Sequence, residues 1–480
     1  MKLIKYFSVI TLVLAFSACD DFGDVNVDPN NPSNVSTDAL LTAALRNIPG
    51  IISQTQPGEY VQLYSQKQYT ASSNYQDINF SYDGLYAGPL TDLQEIIRLN
   101  SDPELAGAQL KNGSLENQIA VAQTAQSYFF LFITDSWGNI PYSQALKGRE
   151  NFRPAFDDQQ AVYNGLFNTL TEASSALASS SGTITGDILL DGDLNSWRLF
   201  ANSLRMVMAL RISDVDANKG KAEFNAALSA GVISSNDENI VYKHLTDEDN
   251  DNLWEDRFET RRDWAVAKPL VDYLNETDDP RVTVYADPAL SKSAYVGMPY
   301  GLTEAEAGSI PNNDVSFFGN SLRQKDSPTY VVTYSQILFS LAEAAHLGWI
   351  SGGAAAAEQY YKDAIKASWE QWGVFDQAKF DTFILKDAVK WVSGEEIKRI
   401  HQQKWVSLFT NGPEAWAEWR RSDYPVLTPS PNPINPVSTG IPVRYGYPIT
   451  EPTLNGDNYN AVLEKIGRDN IDVRVWWDVK

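Results

Sequence analysis

One cysteine and three histidines in 480 residues remove several classes of chemistry at once. A lone Cys19 excludes an internal disulfide framework. His244, His346 and His401 stand far apart in the chain, so neither a histidine-rich metal site nor a His-based catalytic triad is expected. No HExxH, G-x-S-x-G, P-loop or dinucleotide fingerprint occurs. Basic residues are scarce, 38 Lys and Arg against 61 Asp and Glu, for a formal net charge of −23. So acidic a chain is repelled by phosphate-rich surfaces, and no nucleic-acid partner is expected. Long apolar runs are missing as well. The best candidate, Phe7 to Phe16, is about half of the ~20 residues a spanning helix needs.

That short run has another reading. Lys2 and Lys5 precede it as a positive n-region, so residues 1–18 read as a secretory signal peptide. Phe16 is too bulky for the −3 position of an ordinary cleavage site. Ser17-Ala18-Cys19 instead resembles a bacterial lipobox with Cys at +1, although Phe16 stands where Leu is usual. Cys19 is then the lipidation site, and two or three acyl chains there, palmitate among them, give the multiple-chain anchoring that one chain cannot. Asp20, Asp21 and Asp24 resemble an acidic export tag that sends lipoproteins to the outer surface. Residues 19–36, rich in Asp, Asn and Pro, form an extended tether. Loss of Lys2 and Lys5 with the signal takes the net charge from −23 to −25.

The remainder, 37–480, is mostly helical in pattern, and its length alone allows one large or two to three ordinary domains. Thr37 stands as N-cap before Leu40, Leu41, Ala44, Leu45 and Ile48. Val162, Leu166, Leu170, Ala173 and Leu177 fall on one helix face. Ser196 opens a helix through Ala201, Leu204 and Met208, and Ser393 to Glu396 has the form of a capping box ahead of Ile397 and Ile400. Ala345, Ala357, Tyr361 and Ala364 take the spacing of a tetratricopeptide unit, with Ser351-Gly352-Gly353 at the turn and Gly348 where an aromatic is usual. Segments 115–146 and 157–180 read as degenerate copies. The fold class is therefore mostly α, a tetratricopeptide-like helix-pair scaffold. Long irregular stretches lie at 64–89, 235–265, 285–327 and 422–460, and loops of that length in a compact domain are usually functional.

Chemistry on those loops is aromatic and cationic. Trp254, Arg257, Arg261, Arg262 and Trp264 combine stacking faces with bidentate donors. An alternative reading packs the Trp inward and uses the Arg to neutralise the preceding acidic run. Tyr69, Tyr75, Tyr82 and Tyr86 form a second cluster, with Asp77 and Asn79 among them. The ligand-binding candidates are Tyr75, Asp77, Asn79, Trp254, Arg257, Arg261 and Trp264. Asp247, Asp249 and Asp251 imitate the start of an EF-hand loop, but Asn252 replaces the required Gly and Phe258 the bidentate Glu. An EF-hand is excluded. Calcium bound in another way stays open, and no other cofactor is expected. Nothing singles out two among the 61 carboxylates as a glycosidase pair, so binding is favoured over catalysis.

Several segments, in order along the chain, resemble the SusD/RagB class of nutrient-binding outer-membrane lipoproteins, in its SusD-like branch. They are FGDVNVDPNNPS after Cys19, YAGPLTDLQEII at 86–97, TDSWGNIPYSQAL at 134–146, DDPRV at 278–282, YSQILFSLAEAAHLGW at 334–349 and IPVRYGYPITEPTLNGDNYNAV from 441. The resemblance implies a single α-helical domain over 37–480 whose long irregular loops form a ligand face, in a non-enzymatic protein, lipid-anchored in the outer membrane and facing outside. It would sit as a lid on a SusC-like TonB-dependent transporter and deliver oligosaccharides to it. Peptide cargo, or a surface glycoside hydrolase, is the alternative. The family's ligand residues differ among members, so none is carried over by motif.

Overall fold

The computed structural model describes residues 35–480; the expectations for the signal peptide, for Cys19 and for the tether up to residue 34 lie outside them. Helix α1, Thr37–Leu45, starts one residue after Ser36, which takes the N-cap position expected for Thr37. Thr37 is buried instead, and its hydroxyl donates to Gln118. Helices α2 (Thr91–Ser101), α3 (Leu115–Trp137), α4 (Gln159–Ala178), α5 (Leu194–Arg211) and α6 (Ala217–Ala230) follow, each packed on the next. Helix α3 is apolar on nearly every side and is accordingly buried. The five residues predicted for one face of α4 are all in the core.

Two helix starts differ from the reading of the sequence. Asp193 rather than Ser196 caps α5, because its carboxylate accepts the backbone N–H groups of both Asn195 and Ser196. Ser393 makes no cap bond, and the helix behind it begins at Glu396. The supposed degenerate repeats are also different. Segments 115–146 and 157–180 each hold one long helix, α3 and α4, which pack together as a single pair.

The tetratricopeptide-like pair is α8 (Tyr334–His346) and α9 (Gly353–Gln371). Ala345, Ala357, Tyr361 and Ala364 are all buried between or beneath them, since small side chains allow close helix approach. Gly352, with φ +102°, makes the left-handed turn that joins them. Helices α10 (Glu396–Ser407) and α11 (Gly412–Ser422) close the stack against α8. Among the described residues no helix is long and apolar enough to cross a membrane.

The helical core holds buried charges, several of them paired with one another. Arg211 on α5 bonds Asp135 at 2.5 Å, Glu414 at 2.6 Å and Glu418 at 3.0 Å. Arg421 grips Glu343 through both nitrogens, at 2.5 and 2.7 Å. Asp279 and Arg281 form a bidentate pair with no exposed side-chain surface, and Ser368 and Gln403 take the remaining donors. Such charges are tolerable only when paired and hydrogen-bonded.

Among the described residues six short strands make three two-stranded ladders: β1 (Tyr64–Gln66) with β5 (Trp264–Val266), β2 (Ile140–Pro141) with β3 (Phe156–Asp157), and β4 (Ile240–Tyr242) with β6 (Thr329–Val332). All are antiparallel. The β1·β5 ladder sets Gln66 opposite Trp264 and so joins two loops that lie about two hundred residues apart in the chain.

Candidate ligand-binding face

Tyr69 of one cluster meets Arg261 of the other near the end of the β1·β5 ladder. Beyond it the backbone N–H of Lys67 donates to the carbonyl of Asp263 at 2.6 Å. Lys67 Nζ reaches under the loop to the carbonyl of Ala307 at 2.8 Å, and Asn74 Nδ2 donates to the carbonyl of Leu302. These bonds stitch the loop after β1 to the short helix Glu304–Ser309, which starts at a capping box of Thr303 and Glu306. A small satellite core, with Ala265, Met298, Ala307, Val315 and Phe317, lies beneath the junction. The face is therefore fixed from below.

Tyr69 is the residue this arrangement presents. Its backbone has φ +56°, a conformation that costs a bulky residue about 1–3 kcal/mol and persists only where its surroundings impose it. Glu304 imposes it here, one carboxylate oxygen accepting the N–H of Tyr69 and the other that of Thr70, both at 3.1 Å. The Tyr69 ring is 57% exposed, and the Arg261 guanidinium lies over it, 5.4 Å from its centre. Arg261 also pairs with buried Asp263 at 3.2 Å. Next to it, exposed Arg262 lies 5.4 Å from the Phe317 ring. An exposed ring, two guanidinium groups and a held backbone form a platform for stacking and hydrogen bonding.

Other candidates serve the scaffold instead. Tyr75, also at positive φ, is fully buried, and its hydroxyl accepts the Ser430 N–H at 2.9 Å. Trp254 is buried and stacked on Phe318 with ring centres 4.2 Å apart. Neither ring can stack on a ligand, because core packing has taken both of its faces. Arg257 is half-buried over Trp254 and Trp264, 4.6 and 5.8 Å from their ring centres. Trp264 is half-buried, and its indole donates to Glu59 at 2.9 Å. Asp77 and Asn79 are exposed, but Asn79 Nδ2 donates to the Tyr447 carbonyl, tying its loop to the C-terminal segment. Arg261 alone of the seven stays with the platform as an exposed side chain, joined by Tyr69 and Arg262. Glu304 is the residue that sequence reasoning overlooked. Its signal was local, the Thr303-x-x-Glu306 start of a helix.

A separate cleft of about 510 Å³ opens beside β2. Tyr82, Tyr86, Phe152, Glu451, Leu454 and Asn455 are among its lining residues. Tyr82 donates to Glu451 at 2.6 Å, and Tyr86 to the carbonyl of Pro141 at 2.5 Å, so the tyrosine hydroxyls are committed to its walls.

Among the described residues two groups have metal-ligand spacing. Glu343, His401 and Glu418 are buried together, but Arg421 occupies Glu343, and Lys404, Arg211 and Arg421 surround Glu418. Three cations already compensate those carboxylates, which leaves a metal no role. The second group is Glu248, Asp251 and Asp256.

Comparison with known proteins agrees with this architecture. The profile of the SusD-like family described as starch-binding and associating with the outer membrane matches residues 29–448. A solved chitin-binding protein is 28% identical, covering 93% of this chain and 100% of its own, with a TM-score of 0.81. A SusD homolog from Bacteroides thetaiotaomicron VPI-5482 is 25% identical over 93% of this chain and 100% of its own, with a TM-score of 0.77. A chitin-binding SusD homolog from Flavobacterium johnsoniae shares the fold at 22% identity, 92% and 99% coverage and a TM-score of 0.79. No curated protein matches the chain.

Proposed function

This chain belongs to the SusD-like family, starch-binding and associating with the outer membrane, and from that premise we propose that it captures nutrient oligosaccharides and delivers them to a SusC-like TonB-dependent transporter. The family is one of binding proteins rather than enzymes. In this reading Cys19 is acylated, the protein faces outward, and ligand is enclosed between it and the transporter without chemical change.

One observation carries the proposal: an exposed Tyr69, held at a costly backbone angle by Glu304 and overlaid by Arg261. A tyrosine face stacks on a sugar ring, and guanidinium groups donate to its hydroxyls. Strained, exposed residues of this kind concentrate at functional sites. The strongly negative chain, at −23 overall, favours neutral glycans over polyanionic ones. A chitin-binding relative at 28% identity makes oligosaccharides of N-acetylglucosamine the first ligands to try, with malto-oligosaccharides beside them. Peptide cargo is the second reading, favoured by the guanidinium pair Arg261 and Arg262, which suits carboxylates.

The test is purification of the tagged, lipidated protein from native outer membranes, followed by mass spectrometry of everything retained. A TonB-dependent barrel and a bound glycan are the expected companions. A retained peptide would transfer the cargo to the second reading. Recovery of the protein alone, from an extract in which other transporter pairs survive, would overturn the partnership.

A further inference from the structure

The acidic segment between β4 and helix α7 (Leu253–Glu259) is arranged differently from the EF-hand loop it imitates. Asp247 accepts the side-chain amide of Asn250 at 2.6 Å, and the carbonyl of Asp249 accepts from Arg46 at 3.0 Å. Asp251 goes inward. It is only 6% exposed, and its Oδ2 is sealed from solvent with no hydrogen-bond partner. Carboxylate oxygens of Glu248, Asp251 and Asp256 lie within 4.8 Å of one another. Glu255, which is outside that group, also has a buried oxygen, Oε2, with no hydrogen-bond partner.

Three carboxylates thus converge, with Glu255 on the same helix turn as Asp256, and Lys325 is the cation paired with Glu248 and Asp251. Lys325 pairs with Glu248 but stays 3.7 Å from Asp251 Oδ2, beyond hydrogen-bond range. Two sealed acceptors without donors and a local excess of negative charge are what a hard cation relieves.

We propose that Glu248, Asp251 and Asp256, with Glu255, bind a calcium ion. All donors are oxygens, which selects a hard cation over zinc or copper. They come from a loop and the first turn of α7, an irregular set that suits the loose coordination of calcium better than the strict octahedron of magnesium. Bound calcium displaces Lys325 Nζ from Glu248 and pins the start of α7. That helix carries Arg257 against Trp254 and leads directly to Arg261 and Arg262. The ion therefore steadies one wall of the ligand-binding face. The site does not depend on which cargo that face takes.

The test uses the chelator-stripped whole chain and terbium, whose luminescence is sensitised through nearby Trp254, with calcium as competitor and thermal melts in parallel. Saturable binding is expected, with a calcium dissociation constant on the order of 10⁻⁴ to 10⁻³ M, the range of extracellular modules, and a higher melting temperature in calcium than in chelator. Asp251→Asn and Glu248→Gln should each weaken calcium about tenfold through lost ligand charge, and Lys325→Gln should tighten it. Glu248 is exposed, so its variant keeps the test valid if Asp251→Asn fails to fold. The site is overturned if calcium neither displaces terbium nor shifts the melt, or if Glu248→Gln leaves binding unchanged. Equal protection by magnesium would overturn the assignment to calcium.

Discussion

The indole Nε1 of Trp264 donates to Oε1 of Glu59 at 2.9 Å, and Ser73 Oγ donates to the other oxygen at the same distance. Glu59 is fully buried beneath the seam where the loop after β1 meets β5. Its burial outweighs those donors and pushes its carboxyl up to about 7. A carboxyl raised in the folded state contributes stability that is fully present below its unfolded value near 4.5 and is lost as pH rises through 7. At 1.36 kcal/mol per pH unit the full span is on the order of 3 kcal/mol. Glu59→Gln removes the titration and keeps an acceptor for Trp264. Its melting temperature should be flatter than that of the wild type between about pH 4.5 and 7, which melts followed across that range will check.

Trp254 stands for the residues that look like ligand platforms and act as core. Trp254→Ala should cost about 3–5 kcal/mol of stability, the usual result of emptying a buried aromatic site, because the ring fills the space against Phe318 and Tyr64. Trp254→Phe should cost much less. Ligand affinity of the folded Phe variant, measured by calorimetry, should match the wild type.

Asp279 and Arg281 should behave as a unit. Arg281→Met strands a buried carboxylate and should cost about 3–5 kcal/mol, while a double change with Asp279→Leu should recover much of that loss. Denaturant titration of the three variants measures the coupling directly.

These residues also explain what the sequence conveyed and what it withheld. Asp279 and Arg281 belong to DDPRV, Asp135 and Trp137 to TDSWGNIPYSQAL, and Glu343 to YSQILFSLAEAAHLGW. All are buried, so the segments that carry the family resemblance are the ones that hold the scaffold together. The helical scaffold was legible because 3.6-residue periodicity and close-packed alanines are local patterns. The platform was not. Whether Tyr69 or Tyr75 faces solvent is decided by Ser430, more than 350 residues away, which takes the Tyr75 hydroxyl, and by Glu304, which fixes Tyr69. No pattern within either loop contains that information. The reading that packed Trp inward was right for Trp254, but Lys325 rather than the arginines pairs with the acidic run.

Cys19 supports a prediction that depends on chemistry alone. Cys19→Ser leaves no thiol to acylate, since the chain has no second cysteine. The variant should move from the detergent phase to the aqueous phase on partition and lose labelling by a palmitate analogue. Unchanged labelling would contradict a lipid anchor at this position.

The Tyr69 and Arg261 platform is proposed to bind an oligosaccharide. Its most direct test is calorimetric titration of the wild type, Tyr69→Ala and Arg261→Gln with chito-oligosaccharides and malto-oligosaccharides. Both side chains are largely exposed, so the variants should fold. One glycan series should bind the wild type, and each variant should lose about 1 kcal/mol or more, roughly fivefold or greater in affinity, as expected of a stacking or cation–π contact. Glycan binding that is equal in all three proteins would contradict the platform and move the site elsewhere, with the cleft lined by Tyr86 and Phe152 first in line.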